Sequence, residues 1–290
     1  MRFIIYGAGA IGATIGARLH QAGVEVVLIA RGDHLGALKD RGLRFVAPDG
    51  EHRLMIDSVG HPAEVAWRGD DVVVLAMKSQ HTVGALDALS RCAPDQVAVV
   101  CAQNGVANER MALRRRSNVY GMVVNLPALH LKPGEVVTHA GGSGGILDVG
   151  RYPTGIDQTA QTIAEHIAAA GFSCRADASI MRWKYAKLLM NLGNALQAAV
   201  TGEDSDPNAG PDEHSGEVAK RLRREGLACF EAAGIDCASR DEVVGRHDAS
   251  YHMVDLPGWP RTGGSSWQSV QRGTGDIETD FLNGEVALLG

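Results

Sequence analysis

Long apolar runs, a basic excess and cysteine pairs are all scarce in this sequence. No uninterrupted apolar stretch reaches the roughly 18–20 residues that a transmembrane helix needs. The 28 basic and 34 acidic side chains give a formal net charge of −6, so the charge balance favours neither nucleic acid nor an anionic membrane as a partner. The five cysteines show no CxxC spacing, which is typical of reduced thiols in a cytoplasmic protein.

Signals for export and for metal binding are also missing. The apolar residues after Met1-Arg2 are interrupted by glycines and follow a strand pattern, so they are unlike a secretory signal. The eleven histidines form neither an HxH nor an HExxH pair, and no metal site is predicted. We therefore expect a cytoplasmic protein.

What the first half of the chain does contain is an alternation of strand-like and helix-like segments. An apolar, β-branched run such as Val24–Ala30 is typical of a parallel strand buried on both faces. The alternation predicts an α/β domain with a Rossmann-type, doubly wound sheet and an added antiparallel part. We expect Arg44–Val46 and Arg53–Val59 to form a hairpin, and Gly145–Val149 and Phe172–Arg175 to be the last strands.

The second half changes character and is predicted to be all-α. One long helix is expected over Ile180–Val200, and no later segment has a convincing strand pattern. The polar, acidic stretch 201–215 is predicted to be an exposed, mobile loop. Further helices are expected at Glu217–Ala233, Arg240–Met253, Ser265–Gln271 and Ile277–Leu289. We divide the chain into a cofactor domain, residues 1–176, and a helical substrate domain, residues 177–290.

A glycine-rich turn joins the first strand to the first helix. A lone GxGxxG is a weak signal, but here it has the strand–turn–helix context that dinucleotide binding requires. The first glycine permits a tight turn, the second lets the backbone approach a pyrophosphate, and the third packs the helix on the strand. The helix N-terminus adds unpaired N–H groups for the phosphates. The predicted cofactor contacts are Gly7, Gly9, Ala10, Ile11 and Gly12.

The end of the second strand discriminates between the two nicotinamide cofactors. NAD sites place an Asp or Glu there, about 20 residues past the motif, to bind the ribose 2′-hydroxyl. This sequence has Arg31 and no acid at the strand end. A guanidinium suits a 2′-phosphate through charge-assisted hydrogen bonds, so NADP(H) is the expected cofactor.

A lysine and two asparagines share one face of the long helix. Trp183, Lys187, Asn191 and Asn194 fall at i, i+4, i+8 and i+11, which is one face by helical periodicity. Unpaired polar groups are costly to bury, so this face must find partners, line a cavity or be solvated. From this stretch alone, the cavity and the solvated surface remain equal alternatives.

Taken in order, the motifs of the chain resemble the ketopantoate reductases (2-dehydropantoate 2-reductases). They are GxGxxG with Arg31, Met77-Lys78, Gln103-Asn104-Gly105, Trp183…Lys187…Asn191, and Ser265-Ser266…Glu278…Asn283-Gly284. The resemblance implies an NADP(H)-binding Rossmann domain, an all-α C-terminal domain of the 6-phosphogluconate-dehydrogenase type, and a 2-oxoacid substrate between them. It implies an oxidoreductase that reduces 2-dehydropantoate to pantoate for pantothenate and coenzyme A biosynthesis.

The resemblance also implies roles for individual residues. Lys187 is expected to be the general acid, and Glu278 the carboxylate that orients it and contacts the substrate hydroxyl. Hydride addition to a ketone develops negative charge on oxygen, and a positioned ammonium both stabilises that charge and supplies the proton. The expected substrate contacts are Asn191, Asn194, Ser266 and Asn104, while Lys78 and Asn104 are expected on the nicotinamide side.

Several departures from the family pattern leave alternatives open. The second asparagine usual in the family would stand at Ala195, where this sequence offers Asn194 instead, and Gln103 replaces a common histidine. The chain ends at Gly290, where relatives continue, so either the C-terminus is trimmed or the cleft is more open. A paralogue reducing another 2-oxoacid and a non-catalytic NADP-binding regulator remain the competing hypotheses. The sequence does not set the oligomeric state, and a homodimer is among the expected assemblies.

Overall fold

The computed structural model describes residues 1–200, 213–248, 250–260, 263–271, 273 and 276–290. The loop predicted for 201–215 therefore lies mostly outside the described residues, and its last three residues already belong to a helix. Among the described residues, no helix combines the length and apolar character needed to cross a membrane.

The first part of the chain alternates strands and helices as the sequence predicts. Two short 3₁₀ turns, Pro62–Glu64 and Ser79–His81, lie between the elements. The strands are β1 (Arg2–Tyr6), β2 (Val26–Ile29), β3 (Leu43–Ala47), β4 (Gly50–Leu54), β5 (Asp57–Val59), β6 (Asp71–Leu75), β7 (Ala98–Cys101), β8 (Val119–Met122), β9 (Ala128–Leu129), β10 (Glu135–Thr138), β11 (Ala140–Gly142) and β12 (Val149–Arg151). The helices are α1 (Ala10–Gln21), α2 (Gly32–Arg41), α3 (Thr82–Ser90), α4 (Asn108–Leu113) and α5 (Gln158–Ala169).

A seven-stranded sheet forms the centre of this part, in the order β5-β2-β1-β6-β7-β8-β12. Neighbouring strands pair in parallel from β5 to β8, and β12 closes the edge antiparallel to β8. Alternate residues of β1 enter different cores: Phe3 and Ile5 pack on one face, and Ile4 packs on the other. Because both faces are covered, these strands read as continuous apolar runs. The α/β class is confirmed, and the strand order is that of a doubly wound dinucleotide-binding sheet.

Two strand predictions in this part need correction. The expected hairpin exists between β3 and β4, but Arg53–Val59 is not one strand: β5 pairs in parallel with β2 in the large sheet. Between β4 and β5, the buried Ile56 joins the core on one face of the large sheet, so this segment cannot continue as an exposed hairpin strand. Phe172–Arg175 is not a regular strand either. Its Ser173 makes one isolated parallel bridge to Ile146. Of the expected strand Gly145–Val149, only Val149 belongs to β12.

The second part of the chain is mainly helical, with a core that includes Leu188, Phe230 and Leu282. Its elements are α6 (Ile180–Asn191), α7 (Asn194–Val200), α8 (Glu213–Ala232), α9 (Arg240–Asp248), β13 (Tyr251–Met253), α10 (Ser265–Gln271) and α11 (Thr279–Leu289). The division at residues 176 and 177 stays a prediction.

Two of the predicted helices are interrupted. The single helix expected over Ile180–Val200 breaks before Gly193, a poor helix former, and Asn283 Nδ2 donates to Leu192 O at 3.0 Å near the break. The helix expected over Arg240–Met253 ends at Asp248, and β13 then pairs antiparallel with β11. The expectation of no strand in this half is therefore wrong, because a partner strand far away in sequence overrides the local pattern.

Candidate active site

A cleft of about 1460 Å³ lies between the carboxyl ends of the parallel strands and the helices that follow α5. This is where open α/β sheets bind ligands. The structure brings most predicted site residues to this one cleft: Gly7, Gly9, Ala10, Ile11, Arg31, Lys78, Asn104, Lys187, Asn191, Asn194 and Glu278 all line it. Gly12 and Ser266 do not. Of the two alternatives for the polar face with Lys187, Asn191 and Asn194, the structure therefore supports the one that lines a cavity.

The three glycines of the turn have the geometry that their motif predicts. Gly7 has a φ of +103°, and a Cβ there would lie 2.6 Å from Met77 N. A Cβ on Gly12 would lie 2.2 Å from Gly7 O, so α1 approaches the turn closely only because that side chain is absent. A Cβ on Gly9 would meet nothing within 4 Å, which leaves open space at the start of α1. The turn thus fits a pyrophosphate above the helix N-terminus.

A histidine missed by the sequence analysis fixes this turn. His34 Nε2 lies 2.7 Å from Ala8 O, and its Nδ1 accepts a hydrogen bond from Gly134 N at 2.8 Å. Nε2 therefore carries the proton and donates, and the ring is neutral. Burial, together with the neighbouring His130 ring, lowers the pKa of His34 to about 4. His34 lies three residues after Arg31, on the first turn of α2, and this position next to the cofactor turn is the sequence feature that indicates its role.

Arg31 stands where the sequence analysis places it, directly after β2. It is exposed, precedes the first residue of α2 and lines the cleft. A bound dinucleotide with its pyrophosphate at α1 would extend its ribose toward the end of β2, which is the position of the guanidinium. The guanidinium is therefore available to an anionic group at this end of the cleft.

Lys187 lies on α6, half-buried in the wall of the cleft. Burial lowers the pKa of its ammonium to about 8. No hydrogen bond or ion pair within the described residues holds it, so its charge is available to a ligand. A pKa near the working pH is what a general acid needs, because the group is then both protonated and ready to release its proton.

Glu278 lies at the other side of the cleft, just before α11, and is only 8% exposed. Its Oε1 accepts hydrogen bonds from Ser79 N at 2.8 Å and from Ser79 Oγ at 2.9 Å. Asn108 Nδ2 in turn donates to Ser79 Oγ at 3.0 Å. No ion pair shorter than 4.0 Å joins Glu278 to Lys187, both of which are described, so the expected direct contact is not made in this structure.

Two predicted substrate contacts touch each other. Asn191 Nδ2 donates to Asn104 Oδ1 at 3.1 Å, which links α6 to the loop after β7. Asn104 is followed by Gly105, whose φ of +78° forms the turn, and a Cβ there would lie 2.8 Å from Phe281 O. The glycine is therefore required for the loop to pack against α11, and the two amides face one another across the two parts of the chain.

The remaining predicted residues differ in their position. Asn194 begins α7 after the break and still faces the cleft. Ser266 is buried in α10, and its neighbour Ser265 lines the cleft instead. Trp183 lies outside the cleft, under the Arg175 guanidinium at 5.3 Å. Lys78 donates to the Ser269 hydroxyl and to the Asp276 carbonyl.

The segment before Glu278 is tied to the loop after β6. The Asp276 carboxylate accepts from the Gln80 amide and lies 3.1 Å from His81 Nε2. The hydrogen bond from Gln80, supported by His81 and Lys78, lowers the pKa of Asp276. Among the described residues, no group of three or more His, Cys, Asp or Glu is arranged to hold a metal ion.

Comparison with known proteins places this geometry in a family. The sequence model described as "Ketopantoate reductase PanE/ApbA" matches residues 3–154, and its C-terminal counterpart matches residues 179–290. The 2-dehydropantoate 2-reductase of Halobacterium salinarum is 32% identical over 274 residues, which cover 90% of this chain and 88% of that protein. The corresponding enzyme of Archaeoglobus fulgidus is 28% identical, with 100% of this chain and 90% of that protein covered.

Solved structures agree with the sequence relatives. A PanE/ApbA family ketopantoate reductase from Ralstonia eutropha superposes with a TM-score of 0.80 at 28% identity, covering 100% of this chain and 91% of that one. D-mandelate dehydrogenase, solved with NADH and anilino(oxo)acetate, gives a TM-score of 0.81 at 21% identity, covering 100% and 92%, which shows the fold alone. The resemblance and fold class derived from the sequence are confirmed. The chain belongs to the ketopantoate reductase family of pyridine-nucleotide-dependent oxidoreductases.

Proposed function

We propose that this chain reduces 2-dehydropantoate to pantoate with NADPH. The observation that carries the proposal is the Lys187 ammonium, which is desolvated and faces the same cleft as the glycine turn and Arg31. The relatives of this chain from Halobacterium salinarum and Archaeoglobus fulgidus are named for this activity. The reaction suits such a group because a ketone accepting hydride develops negative charge on its oxygen.

In this mechanism the chain's own residues bind, orient and protonate. NADPH, when bound, supplies the hydride; the turn from Gly7 to Gly12 holds its pyrophosphate and Arg31 its 2′-phosphate. Lys187 donates a proton to the keto oxygen as the charge develops there. The substrate carboxylate needs hydrogen-bond donors, which the amides of Asn104, Asn191 and Asn194 supply. Glu278, held by Ser79, is placed to accept from the substrate hydroxyl.

A different 2-oxoacid is the second candidate substrate. One observation favours it: Asn194, rather than residue 195, presents the second amide to the cleft. Steady-state NADPH oxidation across a panel of 2-oxoacids, repeated with NADH, tests both substrate and cofactor. We expect the highest kcat/KM for 2-dehydropantoate with NADPH. A higher kcat/KM for another 2-oxoacid would overturn the substrate assignment, and preference for NADH would overturn the cofactor assignment.

If the chain were a non-catalytic regulator, it would bind NADPH but show no turnover in the same assay. Its membership of an oxidoreductase family disfavours that hypothesis.

The ketopantoate reductase of Staphylococcus aureus is described as dimeric. We extend that expectation to this chain as a homodimer, which light scattering on the purified protein tests. A cytoplasmic location and the domain boundary at residue 176 likewise stay part of the proposal.

A further inference from the structure

A second lysine of α6 is buried directly behind the cleft. Lys184 precedes Lys187 by one helical turn, and its side chain is 2% exposed. Its Nζ donates to three main-chain carbonyls at or just beyond the ends of β7 and β8. These are Gln103 O at 2.9 Å, Cys101 O at 3.2 Å and Met122 O at 3.3 Å. The ammonium is thus surrounded by main-chain carbonyl oxygens, and α6 is fixed to two strand ends.

The charge of Lys184 is balanced by an equally buried carboxylate. Glu109 Oε1 lies 2.6 Å from Lys184 Nζ, and the Glu109 side chain is fully buried on α4. A Cβ on Gly121, in the facing strand β8, would lie 3.4 Å from both Glu109 Oε1 and Lys184 Cδ. The pair thus occupies space that the sheet leaves open for it.

A gain in stability does not explain why an ion pair is buried at this position. Removing two charges from water is expensive, and apolar residues of similar volume often replace buried ion pairs without loss of stability. What the pair does provide is fixed geometry between two parts of the cleft. Lys184 holds the carbonyl of Gln103, the residue next to Asn104, and Asn191 binds the Asn104 side chain from one turn beyond Lys187.

Lys187 therefore lies between two contacts that join α6 to one loop. We propose that Lys184 and Glu109 are positioning residues for the reduction: they fix α6 against the ends of β7 and β8, so that Lys187 is held at the keto oxygen. Neither side chain lines the cleft, so both act through the placement of Lys187. The inference rests on the proposed function insofar as Lys187 is the general acid.

A double variant separates positioning from stability. Lys184→Met and Glu109→Gln alone each leave one buried charge without its partner, so each is expected to lower the Tm. The double variant Lys184→Met/Glu109→Gln removes both charges at similar side-chain volume. Its Tm should therefore return most of the way to that of the parent. If the pair positions Lys187, kcat of the double variant stays on the order of 10- to 100-fold below the parent, because small misplacements of a catalytic group are costly. The Kd for NADPH should stay within about two-fold of the parent, since the glycine turn is untouched.

Arg182→Gln is the matched control on the same helix. Arg182 forms ion pairs with Asp236 and Glu242 at the exposed side of α6, so its loss should leave kcat unchanged. Glu109→Asp is a milder second variant that keeps the charge but shortens its reach, and it should lower kcat while remaining folded. Parental kcat in a folded Glu109→Asp protein and in the double variant would overturn the proposal.

A readout without turnover keeps the two proposals distinguishable. The pH dependence of amine labelling at Lys187, followed by mass spectrometry, reports its pKa in the parent and in the double variant. Because the double variant changes no net charge, a shift from about 8 toward the ordinary lysine value reports that water has reached a displaced Lys187. A parent that reduces no 2-oxoacid would refute the proposed function, while an unshifted labelling midpoint in the double variant would refute the positioning role.

Discussion

At the scale of single residues, Lys187 is the side chain on which the proposed chemistry depends most. It is half-buried in the cleft wall, and no described residue neutralises its charge. Replacing it with alanine removes the proposed proton donor but leaves the glycine turn and Arg31 in place. We expect kcat to fall by about 10²–10⁴-fold, with the Kd for NADPH unchanged in fluorescence titration. Lys220→Ala, at an exposed lysine of α8, is the control, and full activity of Lys187→Ala would reject the assignment.

The same ammonium predicts how the reduction depends on pH. In the proposed reaction Lys187 acts in its protonated form, and burial lowers its pKa to about 8. The rate of reduction should therefore be constant below that pH and fall as pH rises through about 8. A pH profile of kcat/KM checks this, and the residual activity of Lys187→Ala should lack the alkaline limb. An alkaline limb that persists in that variant would assign the acid to another group.

Arg31 carries the expected choice between cofactors. Its guanidinium is exposed at the end of β2, where a 2′-phosphate would lie. Arg31→Gln should weaken NADPH binding by roughly 10-fold or more, since a charge-assisted contact is worth about 1.5–3 kcal/mol. NADH binding should hardly change. Arg18→Gln provides a control in the same domain, because Arg18 pairs with Asp49 instead, and equal losses for both cofactors would contradict a 2′-phosphate role.

At the scale of elements, local pattern predicts the strands of the sheet but not where the helices break. β1 and β6 could be read from the sequence because both faces of a parallel strand are buried. The break between α6 and α7 and the strand β13 could not, because Asn283 and β11 contact them from distant parts of the chain. Single-sequence periodicity contains no information on such partners.

The glycine turn offers a test at this scale. Gly12 lies in α1 where a Cβ would be 2.2 Å from Gly7 O, whereas a Cβ on Gly36, in α2, would meet nothing within 4 Å. Gly12→Ala should cost about 1–3 kcal/mol of unfolding free energy through overpacking and should weaken NADPH binding. Gly36→Ala should raise stability by up to about 1 kcal/mol, because alanine is the better helix former. Denaturant unfolding of both variants measures the difference; equal effects would contradict the close approach.

At the scale of the whole molecule, the candidate site exists because two parts of the chain are joined across the cleft. Sequence motifs identified Lys187, Asn104, Asn191 and Glu278 as one set, and the structure brings all four to one cavity. The contacts that hold them could not be read from the motifs. Ser79, which binds Glu278, lies 199 residues before it, and the buried partners of Lys184 lie 62 to 83 residues away. Such polar contacts follow from the packing of the two parts and have no local signature.

A second buried ion pair also joins the two parts of the chain, and it connects α9 to the segment before β12. Arg246 on α9 donates two hydrogen bonds to Asp148, at 2.7 and 2.9 Å, and Asp148 is 1% exposed. Arg246→Leu leaves that carboxylate with the Arg175 main-chain N–H, which donates to it at 3.0 Å, and with the Arg175 guanidinium at 3.8 Å. The loss of the Arg246 charge should cost roughly 3–5 kcal/mol of unfolding free energy. Combining it with Asp148→Asn should recover much of the loss.

Arg68→Gln is the control for this ion pair. Arg68 and its partner Glu25 are both about half exposed, so their ion pair should contribute about 1 kcal/mol or less. Denaturant unfolding of the parent, Arg246→Leu, the double variant with Asp148→Asn and the control measures the differences. If Arg246→Leu unfolds no more easily than Arg68→Gln, the Asp148 pair does not stabilise the junction between the two parts of the chain.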